Sequence, residues 1–180
     1  MKYLLRLSLA FVLVVGTLVA VSLFLPRHYR VLRTVTVDAP PARVFPMVAD
    51  LDRWREWNVW LVRDPAIQVA TSPSSTVSGA WLTWRSARQG AGRVEIMNAV
   101  VDERVEYRMT VDAMPVTSIG SLRVVGAAGG SRTIVTWSME GDLGWSPVTR
   151  WFGLVLAPLL APDLESGLAG LKTRCEMAER

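Results

Sequence analysis

The stretch Thr34–Asn58, TVTVDAPPARVFPMVADLDRWREWN, decides the fold. It opens as a strand, with Val35 and Val37 alternating against Thr34, Thr36 and Asp38. It turns at Ala39-Pro40-Pro41 and becomes helical, since Val44, Phe45, Val48 and Leu51 recur at intervals of three and four. Pro41 belongs in a first helical turn, where its missing N–H is no loss, and Pro46 falls within or near that turn. The stretch ends at Trp54 and Trp57, and Trp60 follows. A strand that feeds a helix over two prolines and then a tryptophan cluster starts an α+β domain.

Outward from this stretch the chain is consistent with one domain. It has 180 residues. Lys2 and Arg6 are the charges of residues 1–26, so of 20 basic and 16 acidic side chains all but those two lie beyond, a net of +2. The remaining charges are interspersed, with no run of five like charges and no nucleic-acid-reading motif, so nucleic acid is not an expected partner. One histidine, His28, and one cysteine, Cys175, exclude an internal disulfide and leave a zinc site of the usual kind without ligands. No metal or other cofactor is expected.

Leu7–Leu25 is uncharged and, at 1.5 Å per residue, about 28 Å long, close to a bilayer's hydrocarbon thickness. Residues 1–26 therefore read as a membrane anchor, with a cleaved signal peptide ending near Ala20-x-Ser22 as the alternative. Basic residues flank both ends, so the side on which the domain lies stays open.

After Asp64-Pro65 and a Ser/Pro loop at 72–75, strands are expected at 80–87, 93–101, 103–112, 117–125 and 133–140. The clearest carries Val105, Tyr107, Met109 and Val111 on one face. Val94, Ile96 and Val100 are expected to share a face on the strand before it. The short spacing argues for an antiparallel meander. From Val148 the period becomes helical, with Leu164, Leu168, Leu171 and Cys175 in a stripe. Pro158 and Pro162 predict a kink or break in that helix.

The pieces VDAPPARVF at 37–45, DLDRWREWN at 50–58, ERVEYRM, RTIVTWSMEGDL and RWFGLVLAPLLAPDLESGLAGLK resemble the START-like (SRPBCC) superfamily, in particular the bacterial polyketide cyclase/dehydrase-like group. The resemblance covers residues 27–174. It implies a helix-grip fold over 27–180, in which a curved antiparallel sheet wraps a long C-terminal helix and leaves a hydrophobic cavity. It also implies a single-pass protein of the bacterial inner membrane, anchored through residues 7–25.

The expected function is binding of a hydrophobic small molecule or lipid in the cavity. A cyclase/dehydratase-like enzyme and an accessory or scaffold membrane protein are the alternatives. Candidate ligand-binding residues are Trp57, Trp60, Trp84, Tyr107, Met109, Trp137, Met139 and Phe152, with Tyr107 as the polar handle and Trp81 and Trp151 as further wall candidates. Asp52, Glu56 and Glu140 are the carboxylates to weigh for acid/base work. No hydrolase, nucleotide-binding or metalloprotease motif occurs.

Overall fold

The computed structural model describes residues 2–112 and 116–177. The elements in chain order are α1 (Lys2–Ser22), β1 (His28–Val37), α2 (Pro41–Ala49), a 3-10 turn (Leu51–Arg53), α3 (Trp54–Trp57), α4 (Val59–Val62), β2 (Gln68–Thr71), β3 (Trp81–Ser86), β4 (Gly90–Val100), β5 (Arg104–Val111), β6 (Ser118–Gly126), β7 (Thr133–Asp142) and α5 (Pro147–Met177). Among the described residues seven strands form one sheet in the order β1-β7-β6-β5-β4-β3-β2, each neighbouring pair antiparallel. β2 to β7 are therefore a meander, and β1 closes its far side by pairing with β7.

One face of the sheet takes the apolar side chains. Val135, Trp137 and Met139 on β7, and Val105 and Tyr107 on β5, are fully buried there. The α5 stripe Leu164, Leu168, Leu171 and Cys175 is buried against them in one core. Two glycines bring helix and sheet close: a Cβ at Gly167 would stand 2.6 Å from the Trp137 ring, and one at Gly170 would stand 2.8 Å from the Trp57 carbonyl oxygen. The second half of α5 is thus clamped down on the core.

The tryptophans that follow α2 terminate it. The last carbonyls of any helix lack intrahelical partners. Here Trp54 Nε1 donates to the Val48 carbonyl at 3.0 Å and Trp57 Nε1 to the Met47 carbonyl at 2.8 Å. Their rings continue into an edge-on series: Trp54 meets Tyr107 at 5.1 Å, and Trp57 and Trp60 both meet Trp137, at 5.5 and 5.6 Å.

Two expectations are corrected. The register of β4 against β5 shifts between Ile96 and Asn98, a bulge that reverses which side chains point inward. Ala99, not Val100, then pairs with buried Val105 and packs on the core with Val94 and Ile96. Of the kink or break expected in the C-terminal helix, the break does not occur: α5 runs through Pro158 and Pro162. Both prolines lie on its exposed side, so the carbonyls they leave unpaired need no protein partner.

Candidate functional site

Among the described residues the buried apolar side chains fall into two clusters. The larger holds the aromatic series and the α5 stripe; the smaller consists of Tyr29, Val116, Leu143 and Leu156, and Leu160 touches both. A cavity of about 200 Å³ lies where the two clusters meet. It sits under the first half of α5, which supplies Thr149, Phe152, Leu156 and Leu160, whereas the glycine-clamped second half supplies none of its wall. The sheet contributes Tyr29, Leu82, Trp84, Val94, Met109, Val111 and Ser118. The helical turns after α2 contribute Trp54, Asn58, Trp60 and Leu61, and Ile67, Gln89 and Val116 complete the lining.

The wall is apolar over most of its area, with neutral polar groups at two places. Tyr29 and Ser118 are buried and share a hydrogen bond of 2.5 Å between their hydroxyls. Burial raises the Tyr29 phenol above its ordinary pKa, so it stays protonated at neutral pH. Thr149 nearby donates to the Leu143 carbonyl at 2.5 Å.

The second polar place surrounds Trp60. The Asn58 side-chain oxygen caps α4 by accepting from Trp60 N at 3.1 Å, and Gln89 Nε2 donates to the Trp60 carbonyl at 2.8 Å. The cap fixes which way the Asn58 amide turns, so its NH2 is left over. Among the described residues neither that NH2 nor the Gln89 side-chain oxygen has a hydrogen-bond partner, although Asn58 is only 2% exposed. One amide donor and one amide acceptor therefore stand at the cavity wall unused. Among the described residues none that lines the cavity is Asp, Glu, His, Lys, Arg or Cys.

Of the eight residues singled out from sequence, Trp60, Trp84, Met109 and Phe152 lie on the cavity wall. Trp57, Tyr107, Trp137 and Met139 do not: they are buried inside the larger core. Tyr107 is no polar handle, because its hydroxyl accepts from Trp137 Nε1 at 2.7 Å and has no exposed surface. Burial drives its pKa far above the ordinary phenol value. Trp81 is covered by the Arg93 guanidinium at 4.9 Å, and Trp151 donates to the Leu18 carbonyl of α1 at 3.1 Å. Asp52, Glu56 and Glu140 are on the outer surface, where Asp52 accepts from Thr71 Oγ1 and Glu140 faces Arg30. His28 is exposed beside Asp142. Among the described residues no cluster of side chains is suited to hold a metal ion.

Sequence reading missed Tyr29, Asn58, Gln89, Ser118 and Thr149. One signal was available for Asn58: an Asx residue directly before Val59–Val62 is a helix cap, and a capping side chain has a fixed orientation. Ser118 and Tyr29 come together only through β1, β7 and β6, so no local pattern announces them.

Comparison with known proteins agrees with this architecture. A family model described as polyketide cyclase / dehydrase and lipid transport matches residues 28–176. No curated protein sequence is significantly similar to the chain. Among solved structures, a protein from Thermobifida fusca is 20% identical with a TM-score of 0.63, covering 84% of this chain and 95% of its own. Protein CV1439 from Chromobacterium violaceum is 18% identical with a TM-score of 0.55, covering 84% and 98%. Norcoclaurine synthase from Thalictrum flavum, solved in complex with dopamine and hydroxybenzaldehyde, is 10% identical with a TM-score of 0.63, covering 85% and 88%. Identities this low establish a shared fold and nothing more.

Proposed function

The chain belongs to the polyketide cyclase / dehydrase and lipid transport family, and from that premise we propose that it binds one small, neutral, mostly apolar molecule in the cavity between sheet and helix, while held at a membrane by α1. The observation that carries this reading is the cavity itself. Its volume, about 200 Å³, exceeds an apolar cavity of about 150 Å³ that takes up benzene and is below the usual 300–1,000 Å³ of drug-sized pockets. A one- or two-ring compound fits such a space; a whole diacyl lipid does not. That none of the described lining residues is charged disfavours a carboxylate or phosphate inside, because a buried ion needs a partner. The free Asn58 NH2 and Gln89 oxygen, and the Tyr29–Ser118 hydroxyls, suit a ligand with a carbonyl or hydroxyl at its rim. Two small aromatic compounds are held by norcoclaurine synthase, a protein of the same fold. Membrane attachment is supported by the length and apolarity of α1 and by its exposure over residues 3–21.

Native mass spectrometry of the full chain released from mild detergent tests this reading. A co-purifying neutral adduct is expected, and it is expected to vanish when Leu156→Trp fills the cavity. A parent protein that carries no adduct and takes up no neutral aromatic probe contradicts the proposal.

The enzyme alternative has one observation in its favour, the buried Tyr29–Ser118 pair. Under it Ser118 donates to the Tyr29 oxygen, and the protonated phenol, its pKa raised by burial, donates a hydrogen bond to a carbonyl oxygen of the bound molecule. Under this alternative Tyr29→Phe abolishes turnover of the identified ligand while leaving its affinity within a few-fold.

A further inference from the structure

The first half of α5 carries an outer face unlike that of a water-exposed helix. Val148, Phe152, Val155 and Leu159 follow one another at spacings of four, three and four, and all are exposed, Val148 by 76% and Leu159 by 60%. No charged residue occurs from Trp151 to Pro162, just over three helical turns or about 18 Å. Beyond Asp163 the exposed side is mostly polar, with Glu165, Ser166, Thr173 and Arg174 beside Ala169 and the terminal Met177. One helix is therefore apolar outside in its first half and polar outside in its second. A soluble monomer rarely exposes such a contiguous stripe.

What covers the stripe is indicated by its neighbour. The end of α1 is tied to the start of α5: Arg150 Nη1 donates to the Ser22 and Leu23 carbonyls at 3.1 and 3.0 Å, and Trp151 Nε1 donates to the Leu18 carbonyl. Beside this joint Trp145 is 70% exposed, with the Arg27 and Arg150 guanidiniums 5.1 and 5.0 Å from its ring. Exposed Trp among Arg at the end of an apolar helix is the pattern found at a membrane–water interface. The joint places the stripe next to the point where α1 leaves the bilayer.

Resting on the reading of α1 as a bilayer span, we infer that the first half of α5 lies in the membrane interface and that the cavity fills from the bilayer. Phe152 connects the two, since it is on the cavity wall and also 39% exposed. An apolar ligand entering past Phe152 passes from lipid to cavity without crossing water. The occupant of the stripe is the interfacial layer of a phospholipid bilayer.

The test uses the full chain in phosphatidylcholine vesicles, with an environment-sensitive NBD label on Val155→Cys, Leu159→Cys or, as control, exposed Thr173→Cys. Buried Cys175 stays unlabelled. Labels at 155 and 159 are expected to emit to the blue of the label at 173 and to be quenched at least threefold more by lipids with a nitroxide near the headgroup. Equal quenching at all three positions overturns the inference. So does blue-shifted emission without lipid quenching, which would mean that protein, such as a second copy, covers the stripe. In a second arm, transfer of 2-naphthol from preloaded vesicles is expected to slow at least tenfold in the Val155→Asp, Leu159→Asp double variant, with affinity for aqueous 2-naphthol unchanged. An unchanged transfer rate overturns entry from the bilayer. A parent chain that does not take up 2-naphthol at all counts against the binding reading, and the label positions still decide where α5 lies.

Discussion

The Tyr107 hydroxyl has a structural role, because it accepts the hydrogen bond of a buried indole, Trp137 Nε1. Tyr107→Phe keeps the ring against Trp54 and removes that acceptor. A buried N–H without a partner costs about 1–3 kcal/mol, so the unfolding midpoint in denaturant is expected to fall accordingly while ligand occupancy by native mass spectrometry is unchanged. Tyr29→Phe is expected to lower both, because Tyr29 lines the cavity and buried Ser118 loses its hydrogen-bond partner. At the surface, Asp142 is hydrogen-bonded by Arg27, which with Gly144 N lowers its pKa from 3.8 to about 2. A carboxyl whose folded pKa is depressed stabilises the fold above its unfolded pKa, and that contribution disappears as pH falls through the folded value. The stability difference between parent and Asp142→Asn is therefore expected to be constant above about pH 5, to shrink as pH falls through about 2 and to be lost by about pH 1, read from denaturation at a series of pH values.

Elements whose pattern is local were legible in the sequence, and those set by a neighbour were not. Val105, Tyr107 and Met109 keep their phase on β5 because strict alternation leaves only one face to bury. Val100 loses its phase on β4 because the bulge after Ile96 inserts a residue, a feature visible only in the pairing with β5. The stripe Leu164–Cys175 is legible, since helical spacing alone defines it, but the glycines between its members are informative only beside the tryptophans they approach. They yield a prediction of opposite sign from helix propensity. Gly170→Ala gains about 1 kcal/mol in helix propensity, yet its Cβ meets the Trp57 carbonyl oxygen, part of a backbone held by the Asn58 N–H bond to the Trp54 carbonyl and by Arg174 of α5 on the Glu56 carbonyl. Overpacking of this kind costs about 1–3 kcal/mol, so the variant is expected to be less stable than the parent, whereas Ala169→Gly on the exposed side loses only the propensity term of about 1 kcal/mol. Thermal denaturation of the two variants side by side measures the difference.

At the scale of the molecule, the two long helices are joined, and the joint decides what α1 is for. An anchor on a slack tether would leave Arg150 only the Gly144 carbonyl as acceptor, but the residue is 4% exposed and its guanidinium spans the Ser22, Leu23 and Gly144 carbonyls. It caps the C-terminus of α1, where carbonyls lack partners and the helix dipole favours a cation. No local sequence signal reports this, since 127 positions separate Arg150 from Leu23. A leader removed after Ser22 would cut the chain between two of those carbonyls and leave a buried cation short of acceptors. Retention of α1 is therefore expected, with an intact mass that includes residues 1–26. Hydrogen bonds to a charged group contribute about 1.5–3 kcal/mol, so Arg150→Met is expected to lower the stability of the full chain in detergent by about that much. In a chain beginning at Arg27 the same substitution is expected to have less than half the effect, because two of its three acceptors are already gone. Equal effects in both chains would mean that the joint contributes nothing and that α1 is attached to the domain by its backbone alone.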